Sequence, residues 1–133
     1  MSKSIRVPIH SDKDIVFARQ EGRALALALG FSQTDSTLIA TAISELARNI
    51  LTYARHGEIR IRSVQNSSRP GLLVVAKDSG PGISNVRLAL QDGYSTSGSL
   101  GLGLPGVKRL VDEFELDSTL GEGTTVKITK WKS

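Results

Sequence analysis

Residues 44–50 read SELARNI, and they set up a conflict. Leu46, Ala47 and Ile50 continue an apolar stripe that starts at Leu38 and recurs at helical spacing. Glu45 and Asn49 stand four apart beside that stripe, so they share one edge of the same helix. Asn in a helix interior costs roughly 0.6 kcal/mol relative to Ala. A carboxylate and an amide on a helix that otherwise belongs to a core need a reason. An amide oxygen can ligate Mg²⁺, which keeps several waters and binds substrate phosphates as well. A neighbouring carboxylate can take a proton from an attacking hydroxyl or water. Taken alone, the pair reads as a solvated helix edge.

Working outward, Ser32 or Thr34 can cap this helix, which should stop near Gly57. Upstream, SIRVPIH (4–10) alternates as a strand. Ser11 with Asp14 resembles a capping box that opens a helix to about Leu29, and Gly30 ends it. Downstream, EIRIRSVQ (58–65) and LLVVAKD (72–78) read as strands joined by the loop NSSRPG. Residues 79–101 then turn to Gly, Pro, Ser and Thr, with one short helix expected at about 85–92. Pro105 suits the first turn of a helix over roughly 104–113. FELDSTL and TTVKITKW close the chain as two strands around GEG. This order predicts an α/β (α+β) two-layer sandwich: a mixed, mostly antiparallel sheet with helices on one face. The length of 133 residues predicts one domain over 1–133.

Composition excludes several chemistries. With no cysteine there is no disulfide and no thiolate zinc site, and two lone histidines make no metal cluster. The longest apolar run, ALALALGF (24–31), is too short to span a bilayer, and the N-terminus has no apolar targeting core. A cytoplasmic protein without membrane contact is expected. The net charge of +4 and a pI near 9.7 favour anionic partners, although such a balance is commonplace. RHGEIRIR (55–62) is the densest basic stretch. No aromatic residue interleaves with its arginines, so nucleic acid is not the expected partner.

Three further motifs carry chemistry. DSGPG (78–82) ends an apolar strand in Asp78, with Gly80 and Gly82 clearing the backbone around it. A carboxylate only accepts hydrogen bonds, so its natural partner is a donor such as an exocyclic amine. GLGLPG (101–106) places glycines before a helix start, where free N–H groups and the helix dipole favour phosphate. Neither the dinucleotide-binding glycine spacing nor the P-loop pattern occurs. GEGT (121–124) is a tight turn into the last strand. Each motif alone is an ordinary turn or cap. Their order after Glu-x-x-x-Asn is what carries weight.

That order resembles the GHKL ATP-binding family of gyrase, a heat-shock chaperone, histidine kinases and MutL. SELARN is similar to its N box, DSGPG and GLGLPG to its two glycine boxes, and GEGTT to its closing box. The resemblance implies that Asp78 binds the adenine amino group, with Thr124 supporting it through water. It implies that Asn49 ligates Mg²⁺, that backbone from Gly101 through Leu102 and Gly103 to Leu104 holds phosphates, and that residues 83–100 form an ATP lid. Lys108 is a candidate phosphate contact. Within the family the chain has no room for the phosphoacceptor helix of a histidine kinase or the second domain of gyrase and MutL.

AISELARNI, DGYSTSG and GLGLPGVKRLVDEF resemble the stressosome switch kinases. By that resemblance the protein is a cytoplasmic serine/threonine protein kinase with ATP and Mg²⁺ as cofactors. Glu45 is its catalytic residue, orienting or deprotonating the acceptor hydroxyl. Its partners are STAS-domain scaffold proteins, which it phosphorylates, and a PP2C-type phosphatase, which it activates once released. The alternatives are an anti-sigma factor kinase holding a sigma factor, or an ATP-holding binding module. Tyr53 stands four residues after Asn49, where anti-sigma members usually carry His.

Overall fold

The computed structural model describes residues 4–82 and 103–133. The expected lid over 83–100, the short helix near 85–92, and Gly101 and Leu102 lie outside the described residues. Eight elements are described: β1 (Ser4–Ile9), α1 (Asp12–Ala28), α2 (Gln33–Tyr53), β2 (Gly57–Asn66), β3 (Arg69–Asp78), α3 (Gly103–Leu110), β4 (Glu113–Thr119) and β5 (Gly123–Trp131).

Local chemistry accounts for the helix boundaries. The Asp14 carboxylate accepts the backbone N–H groups of His10 (2.8 Å) and Ser11 (3.1 Å), which fixes the entry into α1. Gly30, at φ +93°, carries the chain out of α1. Ser32, not Thr34, caps α2: its hydroxyl accepts the N–H of Asp35 at 3.0 Å. Helix α3 ends three residues before its pattern does. The N–H of Asp112 donates to the carbonyl of Thr129 at 3.0 Å, and Asp112 Oδ2 accepts the N–H of Trp131 at 2.7 Å. Strand β5 therefore captures the chain before a further helical turn forms. Strand β3 also starts earlier than its apolar run. Arg69, Pro70 and Gly71 pair with Asn66, Gln65 and Val64, leaving Ser67 and Ser68 as the turn.

The five strands pair in the order β1-β2-β3-β5-β4, and all four pairings among the described residues are antiparallel. The helices cover one face of this sheet. Helix α2 lies on β1, β2 and β3 and packs between α1 and α3. Period-two alternation sends Val7, Ile59, Ala76, Val126 and Leu116 toward the helices as one cross-strand row. The row beside it is Ile5, Ile61, Val74, Ile128 and Phe114. Ile15, Ala18, Leu25, Ile39, Ile43, Leu46, Ala47 and Ile50 close the core from above. The opposite sheet face carries Arg6, Glu58, Arg60, Arg62, Lys77, Lys127, Glu115 and Asp117.

Among the described residues, no helix is long and apolar enough to cross a membrane, and no group of three metal-ligating side chains gathers.

Candidate nucleotide site

The helix-facing side of the sheet changes character in a single step. One row beyond Val7–Ile59–Ala76–Val126–Leu116, the register brings together Ile9, Gly57, Asp78, Thr124 and Ser118. The alternation that sends Leu72, Val74 and Ala76 into the core sends Asp78 the same way, at the strand's last position. The carboxylate is therefore half-buried, at the end of an apolar column and beneath the C-terminal part of α2.

Its geometry is set by backbone. Asp78 Oδ1 accepts the N–H of Gly80 at 2.9 Å and the N–H of Thr124 at 3.3 Å. Oδ2 takes no hydrogen bond from the described residues and remains an acceptor. Gly123 makes the approach possible. Its φ is +135°, and a Cβ there would stand 2.2 Å from the Asp78 carbonyl oxygen. Gly80 lies equally close to α2, since a Cβ would stand 2.6 Å from that of Ala54. Gly82 sits at φ +79° against Thr119, and the N–H of Gly121 donates to the carbonyl of Pro81 at 2.7 Å. The segments DSGPG and GEGT, some forty residues apart in sequence, thus form one packed corner.

The Thr124 hydroxyl lies 2.9 Å from the Ser118 hydroxyl, which also contacts the carbonyl of Gly123 at 3.2 Å. Ser118 was not among the residues the sequence singled out. Counting outward across GEG would oppose Thr124 to Leu120; the turn is instead made by Leu120, Gly121 and Glu122, and that one-residue shift is what sets Ser118 opposite Thr124. Gly57, which pairs with Asp78 from the other side, carried no signal of that role.

Glu45 and Asn49 occupy one half-buried edge of α2, flanked by the buried Leu46, Ala47 and Ile50. Hard oxygen donors on an accessible edge suit Mg²⁺, which needs few protein ligands when phosphates and water supply the rest. Helix α3 packs on α2, with Leu104, Pro105, Gly106 and Val107 buried and Gly103 at φ +66°. Pro105 has no N–H, so the first turn offers the N–H groups of Leu104 and Gly106 to an anion. Lys108 is exposed in the last turn of this eight-residue helix, where a cation complements the C-terminal end of the dipole.

The structure divides the basic stretch of the sequence. Arg48 and Arg55 lie on or just after α2, with His56 beside them and 6.0 Å from the ring of His10. Arg60 and Arg62 project from the opposite side of the sheet, because Ile59 and Ile61 take the helix side. These residues are two surfaces with a sheet between them. On the outer one, Glu58 bonds both Arg6 (2.9 Å) and Arg60. The Arg6 hydrogen bond, then the Arg60 one, hold the Glu58 carboxyl below the usual range.

Comparison with known proteins gives the family and the fold. The family described as "Histidine kinase-, DNA gyrase B-, and HSP90-like ATPase" matches residues 34–132. The serine/threonine-protein kinase RsbT of Bacillus subtilis (strain 168) is 54% identical over 125 residues, 94% of each chain. An anti-sigma F factor of Caldanaerobacter subterraneus subsp. tengcongensis is 30% identical over 119 residues, covering 86% of this chain and 83% of that one. The crystal structure of the RsbU and RsbW domains of Rv1364c from Mycobacterium tuberculosis superposes with a TM-score of 0.65 at 18% identity. That match covers all of this chain and 33% of the other, and it shows the fold.

Proposed function

Since the chain belongs to the histidine kinase-, DNA gyrase B- and HSP90-like ATPase family and is a serine/threonine-protein kinase within it, we propose that it is the kinase of a stress-signalling partner switch. It transfers the ATP γ-phosphate to a serine or threonine of a STAS-domain scaffold protein. Once released, it binds and activates a PP2C-type phosphatase. The observation that carries the nucleotide reading is the polar row ending in Asp78, with Oδ1 held by two backbone N–H groups and Oδ2 open as an acceptor.

In this reading Asp78 accepts the adenine amino group, and Thr124 supports it through water. Asn49 would offer its amide oxygen to Mg²⁺, which would supply charge neutralisation to bound phosphate. The first turn of α3 donates N–H groups to phosphate oxygens. Glu45 orients the acceptor hydroxyl and takes its proton. Positioning and electrostatics do most of the work, as phosphoryl transfer requires. The greater identity to the kinase RsbT than to the anti-sigma F factor supports a kinase switch over a sigma-factor antagonist.

The test is incubation with labelled ATP, Mg²⁺ and a STAS-domain protein from the same genome. Label should appear on the partner. Glu45→Ala should keep ATP binding and lose transfer by about 10²–10⁴-fold. ATP binding with no transfer to any STAS protein would leave a nucleotide-holding module instead. Equal transfer by Glu45→Ala and wild type would remove Glu45 from the chemistry.

A further inference from the structure

Helix α1 is apolar on two sides. Ile15, Ala18, Gly22, Leu25 and Ala26 face the core. On the solvent side Phe17, Ala24 and Leu27 recur at helical spacing, with Val16 on one edge and Ala28 on the other. Phe17 is 50% exposed, Val16 42% and Leu27 38%. Exposed Gln20 lies within this stripe and charges flank it; large apolar side chains gathered on one exposed helix face mark a surface that a partner covers.

The charges beside the stripe describe what covers it. Lys13, Arg19 and Arg23 are exposed, and none forms an ion pair with the described residues. Arg19 and Arg23 line one edge, and the half-buried Glu21 lines the other. A second copy laid antiparallel on this stripe would set each arginine edge against itself, a like-charge arrangement that disfavours self-pairing. A helix with acidic edges meets no such penalty and gives the three cations partners.

The layer order selects the class of protein. Helix α2 separates α1 from α3, and the candidate phosphate site lies on the α3 side. A partner on the outer stripe of α1 is held away from that site. It need not offer a hydroxyl to Glu45, and it does not compete with nucleotide. The geometry points to the outer face of α1 as the docking surface for an acidic amphipathic helix of the partner that is bound without being phosphorylated. This rests on the proposed partner exchange, in which that partner is the PP2C-type phosphatase.

The test uses the whole chain with the Phe17→Glu and Leu27→Glu substitutions together, and Arg23→Glu alone. Both positions are exposed, so the fold should survive, and circular dichroism melting checks that. Binding to the PP2C-type phosphatase should weaken about tenfold or more in the double variant, as for loss of interface anchors. Arg23→Glu should weaken it less and flatten its salt dependence. Phosphorylation of the STAS protein should persist in both. If the double variant keeps the phosphatase, the α1 face is overturned as its dock. If it keeps the phosphatase but loses STAS phosphorylation, the face serves the substrate instead. If wild type is a dimer that the double variant dissolves with phosphatase binding intact, a second copy occupies the stripe. A wild type that phosphorylates the STAS protein yet never binds the phosphatase overturns the partner exchange itself, and this occupant with it.

Discussion

Two neighbouring rows on the same face of the sheet have different roles. Val7–Ile59–Ala76–Val126–Leu116 is core, and Ile9–Gly57–Asp78–Thr124–Ser118 is the candidate adenine corner. The strands are the same, the face is the same, and the step between rows is about 7 Å. The first row fills its space with aliphatic side chains. The second replaces four of its five residues with glycine, a carboxylate and two hydroxyls. A core row in that position would cap the sheet end with hydrocarbon. The polar row leaves the Asp78 carboxylate facing the helix layer, held rigid because its partners are backbone N–H groups and not mobile side chains.

The comparison breaks hardest in the core row. Ile59→Ala should cost about 2–5 kcal/mol of stability, the range for removing a fully buried aliphatic side chain. Denaturant melts measure it, and ATP affinity of the folded fraction should be unchanged. Next comes Gly123→Ala, whose Cβ would meet the Asp78 carbonyl at 2.2 Å in a backbone region that side chains avoid. A loss of roughly 2–4 kcal/mol is expected, this time with loss of ATP binding, because the corner itself shifts. A stable Gly123→Ala protein with normal ATP affinity would mean the corner is not the site.

Asp78→Asn separates the rows most cleanly. It should leave the fold intact and reduce ATP affinity by about 2 kcal/mol or more, the scale of a charge-assisted hydrogen bond. Titration calorimetry on the folded mutant reads this directly. The smallest effect belongs to the other sheet face, as a control. Glu58 has its pKa lowered by Arg6 and Arg60. A lowered carboxylate contributes stability above its unfolded pKa and loses it as pH falls through the folded one. Glu58→Gln should therefore cost less than about 1 kcal/mol at neutral pH, with the gap to wild type closing below about pH 4. A pH-independent gap would assign the effect to packing.

Much of this was legible in the sequence because the signals are local. A helix edge with Glu45 and Asn49, a strand ending in Asp78, and caps at Ser11 and Ser32 each depend on residues within one or two turns of each other. Helix α3 ends short of its sequence pattern because Asp112 is claimed by Thr129 and Trp131, which lie far along the chain. The basic stretch RHGEIRIR is divided between two surfaces for a related reason. Arginines close in sequence, at 55 and 60, lie on opposite sides of a sheet once Ile59 and Ile61 have chosen the core.

By itself, the sequence determined the kinds and the order of the described elements. Those depend on periodicity and capping, which short stretches carry in full. Tertiary structure alone decided that Thr124 and Ser118 stand in register with Asp78. It also set α2 between α1 and α3 and left an apolar stripe of α1 facing outward. Register and layer order come from which distant apolar faces bury one another, and that competition is settled across the whole chain at once.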